Sequence, residues 1–208
     1  MKKSISVFLF TILFSSLLFA DGGILVGGGM TFSNYSVSGN FKQQGQTGAT
    51  EYKQLPGIKL NWNYWYNCNK RIGIITGINF ETRGSQLITT VNGVKISTNS
   101  KLHYFTIPIY ASITLLPEII PGVISDFSIS AGPEFGFLVR MDGDASANAI
   151  NSRDISASVN CSVALLNTFS LGAGYEWGYT NIIKSQNNDT YMKNTAIKIF
   201  INYIYRAK

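Results

Sequence analysis

The stretch that decides the fold is Ile58–Arg83, which reads IKLNWNYWYNCNKRIGIITGINFETR. From Ile58 to Tyr66, apolar and aromatic side chains alternate with polar ones, and the alternation resumes at Ile72 after the polar cluster NCNK. Successive side chains of a β-strand point to opposite faces, so this period of two predicts two strands. The polar cluster between them predicts a short turn. The stretch is therefore a β-hairpin with one apolar face.

The same alternation continues along the chain and predicts eight strands in all. Further segments of this kind lie at 24–35, 105–113, 127–140, 155–165, 169–179 and 197–205. Long polar connections at 39–55, 84–101, 142–154 and 184–193 alternate with shorter ones at 67–70, 116–125 and 167–168. Val91-Asn92-Gly93-Val94 predicts a type I′ turn and hence an extended hairpin. This is the plan of an all-β, eight-stranded antiparallel transmembrane β-barrel of meander topology, with both termini on the periplasmic side.

The composition decides which face of such a barrel points outward. Of the 208 residues only 13% are charged, about half the roughly 25% of an average soluble domain. This composition excludes collagen, coiled coils and acidic disorder, and no apolar run of about 18 residues follows the first twenty. Alternation alone also fits a soluble barrel with an apolar interior. Because the polar face holds mainly Ser, Gly, Asn and Thr, we expect it to line a narrow interior and the apolar face to meet lipid.

The first residues predict export. Lys2 and Lys3 precede the apolar run 5–19, and Ala20 follows it, which is the order of a secretory signal peptide. We therefore assign residues 1–20 to a signal peptide and 21–208 to the barrel domain. Removal of the signal lowers the formal charge from +6 to +4, and nothing indicates nucleic-acid binding. Cys68 at a turn and Cys161 within a strand predict two free cysteines.

Charges of opposite sign recur on the polar face and predict a structural ion network inside the barrel. Its expected members are Lys59, Glu81, Arg83, Glu134, Arg140, Glu176 and Lys198. Glu134 and Glu176 alternatively suggest a paired-carboxylate catalytic site. The cations on the same face favour the structural interpretation.

Catalytic and metal-binding patterns are weak. His103 is the only histidine, near the loop-side end of its strand, with Ser85, Ser97, Ser100 and Asp142 as candidate partners. One histidine and two separated cysteines do not furnish a metal-ligand cluster. We therefore expect no catalytic residues, no cofactor and no metal, and an interfacial or hydrogen-bonded role for His103.

Three segments carry a family resemblance: YFTIPI at 104–109, SAGPEFG at 130–136 and GAGYEWG at 172–178. In this order and spacing they resemble motifs of PorT-like outer-membrane β-barrel proteins, a family abundant in Bacteroidota. The resemblance extends from Gly22 to Tyr205, and the family-motif positions are Tyr104, Pro108, Gly132, Pro133 and Gly136. It implies an outer-membrane location and an eight-stranded barrel, and it suggests a link to protein secretion. A proline within a strand predicts an edge strand or a bulge, and the resemblance favours a local bulge at Pro108.

The expected function is that of a non-enzymatic protein of the Gram-negative cell outer membrane. It would serve as a structural, adhesion or envelope-assembly and secretion-associated component. A small-solute channel and an enzyme using His103 are the alternatives. Expected partners are outer-membrane lipid, the outer-membrane assembly machinery, other envelope proteins, and lipopolysaccharide phosphates beside the long loops, which hold seven basic and five acidic residues.

Overall fold

Eight antiparallel strands close into a ring in the computed structural model, which describes residues 22–38, 50–91, 94–143, 150–183 and 191–206. Each strand pairs with its neighbours in the sequence, and the last strand pairs antiparallel with the first. The strands are β1 Gly22–Ser38, β2 Thr50–Asn67, β3 Ile72–Val91, β4 Val94–Ile120, β5 Ile124–Gly143, β6 Arg153–Leu165, β7 Phe169–Gly178 and β8 Tyr191–Arg206. The predicted eight-stranded meander barrel is confirmed.

Several strands are longer than predicted. Residues 50–55, 84–91, 94–101 and 116–120, expected in connections, belong to strands, and Val91 opposes Val94 at the tip of the β3–β4 hairpin. The first three extensions lack a regular alternation because neither of their faces needs to be apolar, whereas their Thr, Ile and Val suit an extended backbone. The predicted signal peptide and the Asn92-Gly93 turn lie outside the described residues.

The two ends of the barrel differ. Short turns at 68–71, 121–123 and 166–168 lie at one end, here called the turn end, together with Gly22 and Arg206. The strand ends at Ser38, Thr50, Val91, Val94, Gly143, Arg153, Gly178 and Tyr191 lie at the opposite end, here called the loop end. In the first turn the Asn69 side-chain oxygen accepts hydrogen bonds from the backbone N–H groups of Arg71 and Ile72, both at 2.8 Å. Both cysteines are free and exposed, as predicted.

The outer face carries a continuous apolar surface, here called the apolar belt. Trp62, for example, is 66% exposed although it lies mid-strand. The exposed large apolar side chains of the belt are Val26, Met30, Ile58, Leu60, Trp62, Tyr66, Ile72, Ile74, Ile78, Phe105, Ile107, Ile109, Ile113, Phe135, Phe137, Ile155, Val159, Phe169, Leu171, Tyr175, Ile197, Ile199, Ile201, Tyr203 and Tyr205. The buried positions between them are mostly polar or charged. No described helix is long and apolar enough to cross a membrane.

The bulge predicted at Pro108 is absent. Thr76 opposes Ile109 and Asn79 opposes Thr106, so the register of β4 against β3 is the same on both sides of the proline. Pro108 also opposes Glu134 on β5 without a register shift. The irregularities of the β4–β5 pair lie elsewhere, the first of them between His103 and Tyr104. The buried proline therefore removes one N–H donor from the ladder without displacing the strand.

The seam between β1 and β8 depends on a glycine. A Cβ at Gly29 would overlap the Ile199 carbonyl oxygen and lie 2.7 Å from the Phe200 Cα. We expect Gly29→Ala to lower the free energy of unfolding by about 1–3 kcal/mol through overpacking. Urea unfolding of the refolded protein, followed by tryptophan fluorescence, measures this.

Gly28→Ala is the matched control, since its Cβ would meet its nearest atoms at 3.1 and 3.2 Å. We expect a smaller loss there. Equal midpoints for the two variants would contradict the assignment.

Candidate functional site

The centre of the barrel interior is a fully buried ion network. The Lys198 Nζ atom on β8 lies 2.6 Å from Glu134 Oε1 on β5, 2.6 Å from Glu176 Oε2 on β7 and 3.2 Å from Glu81 Oε1 on β3. A buried charge is costly unless it is paired, and here one ammonium forms ion pairs with carboxylates from three strands. Lys198 therefore ties four strands together at one level.

Arg83 extends the network toward the loop end. Its Nη1 lies 2.9 Å from Asp154 Oδ2, and its Nη2 lies 2.8 Å from Glu176, 3.1 Å from Glu81 and 3.3 Å from Glu134. The guanidinium carbon stands 5.2 Å above the Tyr104 ring centroid. This is the geometry of a cation–π contact, which adds to the pairing of the guanidinium.

Two residues on the turn-end side complete the contacts. Lys59 Nζ lies 2.6 Å from Glu81 Oε1, and the Tyr110 hydroxyl donates a hydrogen bond to Glu134. The ion network is thus composed of Lys59, Glu81, Arg83, Glu134, Asp154, Glu176 and Lys198. The structure brings together six of the seven residues expected from the sequence and adds Asp154. Asp154 stands at the same alternate strand positions as Ser156, Ser158 and Asn160, which indicates an inward-facing side chain. This signal is missed when Asp154 is assigned to a polar loop.

Three carboxylates of the network converge as metal ligands would. Oxygen atoms of Glu81, Glu134 and Glu176 lie within 4.8 Å of one another. Because Lys198 Nζ already contacts all three, the protein supplies its own cation at this position. The same contacts argue against Glu134 and Glu176 as a catalytic acid and base, since both are fully buried and salt-bridged.

Arg140 is not in the interior, contrary to expectation. Tyr104 opposes Leu138 whereas His103 opposes Arg140, so β5 contains an extra residue at Val139. A β-bulge of one residue reverses the parity of everything beyond it. Arg140 consequently faces outward with 74% of its side chain exposed, and its Nε lies 2.7 Å from Asp142 Oδ1.

His103 lies on the outer face near the loop end of the belt. Its Nε2 lies 2.9 Å from Asp142 Oδ2, its Nδ1 lies 3.1 Å from Thr82 Oγ1, and its ring stacks on Phe80 at 5.9 Å. Hydrogen bonds from Arg140 and His103 lower the pKa of the Asp142 carboxyl, which stands beyond the apolar belt. Among the described residues, the hydroxyl that contacts the imidazole is that of Thr82, which is 4% exposed. A substrate would have no access to that hydroxyl.

The serines expected near His103 do not contact it. Ser85 faces the interior and donates to Asn34 Oδ1 at 2.8 Å, and the Ser100 hydroxyl lies 3.2 Å from that of Tyr35. Ser97 is exposed in β4. The described residues therefore place Asp142, but no serine, beside the histidine.

An apolar core fills the interior toward the loop end. Tyr35, Leu102, Tyr104, Ile150 and Ile182 are buried together, with Val37, Tyr52, Leu138, Met141 and Met192 packed against them. Burial raises the pKa of Tyr35 to about 12. We call these residues the loop-end core.

The family-motif positions lie around the network and the core. Tyr104 and Pro108 are buried, and a Cβ at Gly136 would stand 3.3 Å from the Tyr104 ring. A Cβ at Gly132 would overlap the Ile109 carbonyl oxygen, whereas Pro133 is exposed on the outer face. Four of the five positions thus govern packing inside the barrel.

At the turn end the interior opens into a cavity, here called the vestibule. Its outer part has a volume of about 320 Å³. A deeper part of about 60 Å³ reaches Lys59 of the ion network and Tyr110, which contacts that network. Leu25, Ile75, Ser162 and Ser170 line both parts. Among the described residues, the interior is therefore open toward the turn end and filled by the loop-end core toward the other end.

Comparison with known proteins bears on the fold. No protein-family model and no curated protein matches the chain. Among solved structures, the chain is similar to the outer membrane protein OprG from Pseudomonas aeruginosa, with 11% identity over 92% of this chain and 99% of that one, and a TM-score of 0.50. Neisserial surface protein A is 12% identical over 88% and 97%, with a TM-score of 0.48. Ail, the attachment invasion locus protein of Yersinia pestis, is 13% identical over 89% and 99%, with a TM-score of 0.40. At such identities the OprG match supports the shared barrel fold and nothing finer.

Removal of the central ammonium tests the ion network. We expect Lys198→Met to lower the free energy of unfolding by about 3–5 kcal/mol, because it leaves buried carboxylates unpaired. Adding Glu176→Gln should recover part of that loss. Urea midpoints of the refolded variants provide the measurement.

Arg140→Met is the control, since this exposed side chain should change stability by no more than about 0.5 kcal/mol. A loss for Arg140→Met as large as that for Lys198→Met would argue against the outward placement of Arg140.

Proposed function

We propose that the chain is an outer-membrane protein whose apolar belt faces lipid. The observation that carries this proposal is the reversed polarity of the barrel, with large apolar side chains exposed outside and seven charged side chains buried inside. Residues 58–66 span about 30 Å of strand at roughly 3.3 Å each. Tilted near 40°, they would cover about 23 Å, close to the ~25 Å apolar band of membrane barrels. In this orientation the turn end faces the periplasm.

We further propose that the protein is neither an enzyme nor an open channel. The buried Thr82 hydroxyl argues against catalysis at His103. The ion network and the loop-end core fill the barrel above the vestibule, which argues against passage of solutes. A structural, adhesion or envelope-assembly and secretion-associated role remains, and the resemblance to PorT-like proteins favours the last of these.

The β4–β5 hairpin supports a role in protein assembly. Ile72 at the start of β3 opposes Ile113, so β4 continues past the end of β3 to Ile120. The projecting part exposes Leu115, Leu116, Ile119, Ile120 and Val123. Exposed apolar patches of this kind mark interaction surfaces. We propose that this hairpin contacts another envelope protein at the periplasmic end.

The loop end suggests contact with lipopolysaccharide. Lys95 and Arg153 lie at strand ends there, and Lys101 lies within β4 opposite Asp142, all beyond the apolar belt. Cations at this level would meet lipid phosphates in the outer leaflet.

A charge placed on the belt distinguishes a membrane barrel from a soluble one. We expect Ile107→Arg to destabilise the protein in lipid vesicles by about 2–4 kcal/mol, the cost of a cation on a lipid-facing strand. Ser97→Arg, beyond the belt on the same strand, should have little effect. Urea unfolding in vesicles measures the stability of the two variants, and heat-modifiable migration on SDS gels with cell fractionation locates the wild-type protein.

Recovery of the wild-type protein in the soluble periplasmic fraction would overturn the membrane assignment. So would an Ile107→Arg variant as stable in vesicles as Ser97→Arg.

Site-specific photocrosslinking tests the hairpin. A photoreactive residue at Ile120 should yield a discrete protein adduct in cells, and Leu116→Asp should abolish it because the apolar contact is lost. The same probe at Val94, exposed at the loop end, is the control. Adducts with lipid alone at Ile120 would contradict a protein contact.

A further inference from the structure

We infer that the vestibule is a binding site for a neutral sugar ring, either free or at the end of a glycan chain. The site depends on the barrel fold and is independent of the role proposed above. It opens at the turn end and ends at the ion network. Its volume of about 320 Å³ lies at the lower end of the range of small-molecule sites.

Three asparagines of the deep part carry the inference. Asn61, Asn63 and Asn202 are 6, 7 and 5% exposed and line the deep part of the vestibule. Both amide atoms of Asn61 and the amide oxygens of Asn63 and Asn202 have no hydrogen-bond partner among the described residues. Buried polar groups are nearly always hydrogen-bonded, and leaving one unpaired is destabilising. These unpaired amides provide the hydrogen-bonding groups that a ligand-binding site requires.

The amides indicate the chemistry of that ligand. A carboxamide offers both donors and an acceptor, and a sugar hydroxyl likewise donates and accepts. Asn160, Ser130 and Ser162 add further neutral groups of this kind to the same pocket. A ring with several hydroxyls therefore matches these lining side chains better than an apolar ligand does.

The ionisable side chains at the deep end of the vestibule are already paired with other groups of the protein. Lys59 Nζ is salt-bridged to Glu81, and the Tyr110 hydroxyl donates to Glu134. Lys70, Arg71, Asp126 and Arg206 belong to the outer part of the vestibule, and the Arg206 guanidinium lies 3.7 Å from Asp126. The deep part thus offers no uncommitted charge to an ionic ligand, which favours a neutral one.

Two aromatic side chains supply apolar surfaces for the ring. Phe200 lines the deep part and Trp65 the outer part. Gly172 makes room for Phe200, and Gly23 for Trp65, because a Cβ at either glycine would overlap the ring. The C–H face of a sugar would pack against such rings while its hydroxyls reach the amides.

Trp65 makes binding measurable in the full-length protein. The other tryptophans are Trp62 on the outer face and Trp177 on β7, so Trp62→Phe with Trp177→Phe leaves a single reporter in the vestibule. We expect glucose to produce a saturable change in its fluorescence in detergent micelles. Asn61→Leu with Asn202→Leu should weaken binding at least tenfold. The same variant should unfold at a higher urea concentration in the absence of sugar, because it removes unpaired amides.

Thr106→Val is the matched control. Thr106 is also fully buried with an unpartnered side-chain hydroxyl, but it lies on β4 and does not line the vestibule, so its substitution should leave the affinity within about twofold. Heat-modifiable migration verifies that each variant is folded. A failed membrane assignment would leave this measurement unaffected, since it needs only the folded barrel.

Maltotetraose distinguishes the two sources of the ring. Binding equal to or tighter than that of glucose indicates a chain end, and binding of glucose alone indicates a free sugar. Absence of a saturable change with both probes would overturn the inference. So would unchanged affinity in the double asparagine variant, or glucuronate binding at least tenfold tighter than glucose.

Discussion

The contact between Lys198 and the three buried glutamates is the constraint on which the rest of the structure depends. Its acids come from β3, β5 and β7, and its cation from β8, so it can form only when the ring is closed. Isolated charges in this interior would be prohibitively costly. A strand shifted by one residue would move its charge to the outer face. The network therefore selects register as well as closure.

The network also divides the interior into two unlike ends. Above it, Arg83 reaches over Tyr104 into the loop-end core, which is apolar and closed. Below it, Lys59 and Tyr110 form the floor of a vestibule lined by asparagine and serine. The same side chains thus separate a cavity that is open at the turn end from an apolar core toward the loop end.

The alternation of inward-facing and outward-facing residues along the strands predicts most members of the ion network. This alternation locates six members of the ion network. A charged side chain among the small polar residues of the inner face requires a partner inside the barrel. The alternation fails at Arg140, where one extra residue at Val139 reverses the parity, and no sequence signal announces that bulge. Asp154 is missed because the strand was expected to begin at Ile155, after a polar connection. Strand lengths beyond the belt were not predictable, since no apolar face is needed there.

The side chains of β1 explain how the barrel tolerates a break in pairing between β2 and β3. Their register shifts between Gln54 and Lys59, so the neighbouring backbone of β3 lacks regular partners on β2. Thr31 Oγ1 on β1 donates to the Thr82 carbonyl at 2.6 Å, and the Gly84 N–H donates to Ser33 Oγ at 2.7 Å. Buried backbone groups must be paired, and two hydroxyls from β1 do this across the interior. A polar interior can therefore repair a broken ladder from within, which an apolar one cannot do. This is a structural reason, separate from any ligand, for the Ser and Thr on the inner face.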